Sequence, residues 1–216
     1  ATEAETTAAE SAAEESSAEE TKAAADIETV TPGKLTVATS PDFAPYEFYA
    51  IGEDGTPKLA GFDMDLAQYI ADYLGLELEV VTVDFDGVIS ELQTKSVDLG
   101  MAGLSPDEKR MGIMDFSDLY YMGGQSLVTV KDNAEKFNSF EAVNKPEVSV
   151  GAQVGSIQMD LANENSPEAD IVGLPKVTDI ISELLTGKMD AAYIETDVAK
   201  SYQKNYPELT LVMDVP

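Results

Sequence analysis

Along the chain, polar and apolar positions fall into two regimes. Residues 1–32, ATEAETTAAESAAEESSAEETKAAADIETVTP, are Ala, Glu, Thr and Ser with almost no large apolar side chain. Such a segment cannot bury enough surface to offset the entropy of ordering, and its Thr and Ser clusters interrupt any apolar stripe. A solvated acidic tether is expected there. From Gly33 the pattern changes: KLTVAT alternates as a short strand and is halted by Ser40 and Pro41. The stretch PDFAPYEFY then holds an extended turn, and a hairpin tipped by Asp54-Gly55 leads into GFDMDLAQYIADYLGL. There Leu66, Ile70 and Leu74 recur at helical spacing, with Asp63 as the expected N-cap and Gly75 as the stop. LELEVVTV reads as a strand, Phe85 as a loop residue ahead of a second helix, and VDLGM as a further strand. The order strand, helix, strand, helix, strand predicts a parallel α/β sheet.

A second α/β unit is expected to begin near Met122, after Tyr120-Tyr121. QSLVTV predicts a strand, NSFEAV a short capped helix, and EVSVGAQVGSIQMDLAN a strand turning through Gly155 and Ser156 into a helix. VTDIISELLTG is amphipathic through Val177, Ile180, Ile181, Leu184 and Leu185; DAAYI is a strand ending at Glu195, TDVAKSYQKNY a helix, and LTLV a last strand. One repeat ties the two units together: ISELQTKSVD at Ile89–Asp98 recurs as ISELLTGKMD at Ile181–Asp190. Gly103 and Glu195 each lie five residues beyond the matched Asp98 and Asp190. Both therefore belong at the carboxyl ends of strands, the edge at which open α/β sheets bind ligands.

Composition narrows the chemistry. The absence of cysteine removes disulfides and thiolate sites, and the absence of histidine removes the commonest catalytic base and zinc ligand. A formal charge of -28 argues against phosphate-backbone binding, so nucleic acid is not an expected partner. No run approaches the roughly 18 apolar residues of a membrane span. About 180 residues beyond the tether can bury a substantial core.

Within so acidic a chain, Arg110 is the sole arginine, set in MAGLSPDEKRMGIMDFSDLYY. Its planar fork suits a carboxylate, though a lone arginine on a short helix is equally an exposed surface charge. Phe43, in the proline-bracketed turn, is a site candidate, whereas Tyr46 and Phe48 read as core. Free amides at Ser156 and Ile157 would make an anion seat, with Ser156 as a plain N-cap the alternative. Asp63 and Asp65 read as first-turn acids complementing a helix dipole rather than as metal ligands.

The ordered segments KLTVATSPDFAPYEF, GFDMDLAQYIADYLG, VDFDGVISELQTKSVDLGMAGLSPDEKR, MDFSDLYY, VGAQVGSIQ and MDAAYIETDVA resemble the family-3 amino-acid-binding proteins of ABC importers. The resemblance covers essentially everything after Gly33. It implies a two-lobed periplasmic binding protein-like II fold without catalytic activity or cofactor: residues 33–121 as lobe 1, residues 122–216 as lobe 2. The implied molecule is an extracytoplasmic monomer, periplasmic or tethered to the cell surface by a lipid on an upstream cysteine, that delivers a free L-amino acid to a permease. Carried over, Arg110 grips the ligand α-carboxylate with Ser105 assisting, and Gly103 presents its backbone to the α-ammonium. Ser156 and Ile157 meet the carboxylate from the other lobe. Glu195 stands where the family usually has an aspartate that pairs with the ammonium. Phe43 and Phe85 form the two sides of the side-chain slot, and Ser40 and Gln153 contact its far end. A zwitterion gripped by Arg110 from one lobe and Glu195 from the other would favour the closed form.

The family pattern includes a return from lobe 2 that completes lobe 1, and the chain stops at Pro216 before it, so a C-terminal truncation is expected. Two rival classes share this fold: a lyase of the cyclohexadienyl dehydratase kind, for which Glu47, Asp42 and Glu195 are the available acids, and the ligand-sensing domain of a receptor.

Overall fold

The structure, a computed structural model, describes residues 27–216. Most of the expected tether thus lies outside the described residues. Residues 27–32 carry no helix or strand, and the Val30 amide donates to Asp98 Oδ1 at 2.7 Å.

Lobe 1 comprises β1 (Lys34–Thr39), β2 (Asp42–Phe43), β3 (Glu47–Ile51), β4 (Pro57–Ala60), α1 (Phe62–Leu74), β5 (Glu77–Thr82), α2 (Phe85–Gln93), β6 (Leu99–Gly100) and the one-turn α3 (Glu108–Met111). Its main sheet has the order β5-β1-β6, parallel throughout, and β2, β3 and β4 form a separate antiparallel sheet. α1 ends at Gly75 in the left-handed conformation, as its sequence requires. It begins differently from expectation: Gly61 is the N-cap, and Asp63 sits inside the first turn without capping it. Phe85 is likewise the first helical residue of α2, behind Asp84 at the N-cap, rather than a loop residue.

Lobe 2 comprises β7 (Gln125–Val130), a 3-10 turn (Lys131–Asn133), α4 (Phe140–Val143), β8 (Ser149–Gln153), α5 (Ile157–Asn165), β9 (Asp170–Leu174), α6 (Val177–Thr186), β10 (Ala191–Glu195), α7 (Thr196–Asn205) and β11 (Leu209–Val215). The sheet order is β11-β7-β10-β8-β9, with β8, β9 and β10 parallel and β7 antiparallel to both neighbours. The half-buried strand β9 has no strong alternation and was not anticipated. α6 buries Val177, Ile180, Ile181 and Leu184 against this sheet, each worth about 1.5–3 kcal/mol of transfer free energy.

The repeat is a repeat in three dimensions. In lobe 1, the Asp98 amide donates to Thr36 O at 2.9 Å while its carboxylate accepts from the Thr36 amide at 2.8 Å. In lobe 2, Asp190 makes the same two-way clasp with Ser149, at 3.0 Å in each direction. Each aspartate registers the strand it opens, β6 or β10, against the neighbouring strand, β1 or β8. Five residues on, Gly103 and Glu195 reach the same cavity from opposite lobes.

Candidate functional site

The carboxyl ends of β8 and β10 and the segment that follows β6 converge on a small space between the lobes. It is lined by Phe43, Phe85, Gly103, Ser105 and Arg110 from lobe 1, and by Gln153, Ile157 and Glu195 from lobe 2. Two expected residues do not line it. Ser40 is buried and donates to Asp42 Oδ1 at 3.0 Å, and Ser156 is buried in capping α5. At about 20 Å³ the space holds roughly one water, so a molecule the size of an amino acid enters only if the lobes part. A neighbouring chamber of about 110 Å³ shares Gly103, Ser105, Gln125 and Glu195 with it.

Arg110 is 6% exposed, which removes the surface-charge alternative. Asp107 makes this burial possible: it caps α3 by accepting from the Arg110 amide at 2.8 Å, and its second oxygen lies 3.2 Å from Arg110 Nε. The two terminal nitrogens remain as a fork. Nη1 donates to Ser105 O at 2.8 Å within lobe 1, and Nη2 donates across the cleft to Gly155 O at 2.9 Å. The guanidinium also lies over the Phe85 ring, 5.6 Å from its centroid. Burial lowers its pKa, opposed by Asp107 and Asp160, yet a guanidinium keeps its charge. Both carbonyls are neutral acceptors that a carboxylate, carrying full charge, would outcompete.

Glu195, 5% exposed, faces this site from β10. Its Oε2 accepts from the Val198 amide at 2.8 Å, capping α7, and Tyr46 donates to Oε1 at 3.3 Å. Burial pushes its pKa up, and the Val198 amide counteracts this. Any side chain at position 123 would strike the Glu195 carboxylate, so Gly123 is what lets the lobe crossover pass it. Gly103 (φ +56°) leaves no room for a Cβ, which would stand 2.9 Å from the Phe43 ring.

The expected anion seat is half occupied. The Ser156 amide donates to Gln153 O at 3.2 Å, and its hydroxyl donates to the same carbonyl at 2.7 Å while accepting from Met159. The turn through Gly155 thus satisfies itself at Ser156. Gln153 Nε2 donates to Pro175 O at 3.0 Å and lies 3.4 Å from Asp42 Oδ2.

Several residues of the site escaped the sequence reading. Gln125 and Gln158 line the space and bond to each other at 2.7 Å; Gln125 pairs with Glu195 across β7 and β10, a neighbourhood visible only once that register is known. Tyr46, read as core, is buried but reaches Glu195. Asp107, three residues before Arg110, carried a readable signal as an N-cap. Asp42 bridges the lobes: its carboxylate accepts from the Val177 amide at the start of α6, and its carbonyl accepts from Tyr202 at 2.7 Å.

This geometry can be set beside known proteins. The family described as "Bacterial extracellular solute-binding proteins, family 3" matches residues 35–210. The chain belongs to this family. It is 35% identical over 178 residues to the "Arginine-binding extracellular protein ArtP" of Bacillus subtilis, covering 82% of this chain and 66% of that protein. Against the "Cyclohexadienyl dehydratase" of Pseudomonas aeruginosa it is 29% identical over 180 residues, covering 83% and 66%. The chain therefore spans just under two thirds of either relative. A solved structure of the amino acid ABC transporter substrate-binding protein AbpA from Streptococcus pneumoniae, bound to L-arginine, superposes with a TM-score of 0.80 at 36% identity, covering 83% of this chain and 75% of that one. The two-lobed fold implied by the resemblance is thereby shown.

Proposed function

We propose that this chain binds a free L-amino acid between its lobes and, outside the cytoplasm, delivers it to the permease of an ABC importer. The observation that carries this reading is the pairing of the sole arginine with a buried glutamate in one enclosed cleft, each supplied by a different lobe. Arg110 would exchange its carbonyl acceptors for the ligand α-carboxylate, with Ser105 beside it and the Ile157 amide assisting from α5. Glu195 and the Gly103 peptide would receive the α-ammonium. Phe43 and Phe85 would flank the side chain, with Gln153 at the far end and Ser40 acting there through Asp42. This slot favours a polar or cationic ligand, in keeping with the arginine named for two of the relatives. On this reading the chain acts as a monomer without a cofactor, either in the periplasm or held at the cell surface through an N-terminal lipid anchor. Calorimetric titration with a panel of L-amino acids tests the reading: arginine, lysine, histidine or glutamine should bind, and leucine or phenylalanine outbinding all of them would overturn the ligand class.

One relative favours a second reading. The dehydratase similarity places an enzyme on this fold, and the buried, protonation-prone Glu195 is the acid it would use. Turnover of a cyclohexadienyl acid, assayed by product analysis, would establish it; recovery of unchanged substrate supports the binder.

A further inference from the structure

Behind Gly103 lie two carboxyl groups that the proposed ligand site does not use. Glu47, on β3, and Asp63, in the first turn of α1, are both 0% exposed. Among the described residues neither forms an ion pair. Asp63 is well served by donors: its Oδ2 accepts from the Gly103 amide at 3.0 Å and its Oδ1 accepts from Tyr120 at 2.9 Å. Glu47 has none, since neither of its oxygens meets a donor. What Glu47 faces is the Asp63 carboxyl group.

Two ionised carboxylates side by side without a cation, both stripped of water, are not tolerated, so one of them keeps its proton. The donors decide which. Two hydrogen bonds and the amino end of α1 stabilise charge on Asp63, whereas a proton on Glu47 converts an orphaned contact into a hydrogen bond to Asp63.

We propose that Glu47 and Asp63 hold one proton between them and act as the positioning pair for the Gly103 peptide and the Tyr120 crossover, so that ligand affinity depends on that proton. The proposal rests on the amino-acid-binding reading. Asp63 fixes the amide of the residue whose peptide is to meet the ligand ammonium, and its charge lies directly behind that peptide. Through Tyr120 it also ties down the segment that leads into lobe 2. The titratable groups facing the pair are Asp42 and the Tyr120 phenol. Burial first, then Asp63, pushes Glu47 well above the carboxylate range, with Asp42 adding to the effect. Burial raises Asp63 too, opposed by the Gly103 amide, Tyr120 and Glu47. Loss of the proton at alkaline pH would set a second charge beside Asp63 and loosen its hold on Gly103.

The test uses the full chain with L-arginine as the probe. Calorimetry across pH 6 to 9 should show affinity falling towards the alkaline end for the parent. Glu47→Ala should weaken binding by about tenfold or more, the loss of one hydrogen bond to a charged group. Glu47→Gln, whose amide donates to Asp63 in place of the acid proton, should restore the affinity and remove the alkaline fall. A purely structural Glu47 would lower thermal stability in both variants and leave the pH profile of binding unchanged. Independently of any ligand, carbon NMR of the parent should find the Glu47 carboxyl neutral and Asp63 ionised at pH 7. An ionised Glu47, or a Glu47→Gln variant that behaves like Glu47→Ala, overturns the proposal. A parent that binds no amino acid removes the transport reading instead, and the NMR result still decides the pair.

Discussion

Replacing Asp42 with alanine should open the cleft. In the closed arrangement its carboxylate, on lobe 1, accepts from the Val177 amide at the amino end of α6, on lobe 2, and approaches Gln153 Nε2 at 3.4 Å. A hydrogen bond to a charged group contributes about 1.5–3 kcal/mol, and a helix amino end adds a few tenths. Burial takes part of this back, as the raised pKa of Asp42 shows. A net preference of about 1–2 kcal/mol for the closed form remains, or roughly 5- to 30-fold in the closure equilibrium. Where the closed form is a minority without ligand, the dissociation constant should weaken by that whole factor; where it is dominant, the lobe separation should shift first. Asp42→Asn, which keeps an acceptor oxygen without the charge, should fall between parent and alanine variant. The chain has no cysteine, so Asp72→Cys on α1 and Asn163→Cys on α5 can carry a donor and acceptor dye on opposite lobes. Single-molecule distances with calorimetric titration of L-arginine read both effects. An Asp42→Ala variant matching the parent in affinity and in distance distribution refutes the reasoning.

Deleting residues 1–26 should leave the dissociation constant within about twofold, because an acidic low-complexity segment of this composition contributes little to a packed binding cleft; a tenfold loss would show that it docks on the lobes. Deleting through residue 32 should in addition lower the melting temperature, since it removes the Val30 bond to Asp98, the residue that registers β6 against β1; equal melting temperatures for the two deletions would show that bond to be idle. Thermal stability should fall as pH rises above the ordinary carboxylate range of about 4: burial raises Asp42, Glu47, Asp63 and Glu195, so the folded state keeps protons that the unfolded chain has already released, each until its own raised pKa is passed. Asp54 and Asp197, lowered chiefly by their bonds to Thr56 and Tyr121, act in the opposite sense, losing their contribution only on further acidification. A melting temperature that climbs through the same range would contradict the sign. Glu195→Gln should weaken amino-acid binding yet preserve folding, because the amide oxygen still accepts from Val198; calorimetry beside a melting curve separates the two effects.

Most of the architecture was legible because it is periodic. The stripe in α6 and the Gly75 stop follow from local rules and survive in the structure, and β1 forms where expected, although as the central strand of its sheet it is buried on both faces rather than alternating. The repeated ISEL segment carried more than secondary structure: matching Asp98 to Asp190 puts Gly103 and Glu195 beyond the carboxyl ends of two strands, and in the structure both line one cavity. What stayed hidden was set by contacts between distant parts of the chain. Asp63 looks like an N-cap in sequence, and the approach of Gly103 and Tyr120 explains its burial within the first turn of the helix instead. Ser156 looks like an open anion seat, but the turn through Gly155 returns Gln153 O to its amide. Tyr46 has the pattern of a core residue and is one over its ring, while its hydroxyl serves Glu195. β9 follows a readable Ser166-Pro167 turn, but its short DIVGL run, with no fully buried residue, lacks the strict alternation that marks a strand.

The central claim is that Arg110 is the ligand's anchor, and calorimetric titration of L-arginine into the parent and Arg110→Ala tests it most directly. Both acceptors on its terminal nitrogens are neutral carbonyls, so the fork is free to exchange them for a carboxylate, and removing it leaves that anion buried without a partner. The expected cost is about 2–5 kcal/mol, a weakening of roughly thirtyfold to several thousandfold. Arg110→Lys should fall between, keeping the charge without the paired geometry. A parent that binds and an Arg110→Ala variant of equal affinity would contradict the account.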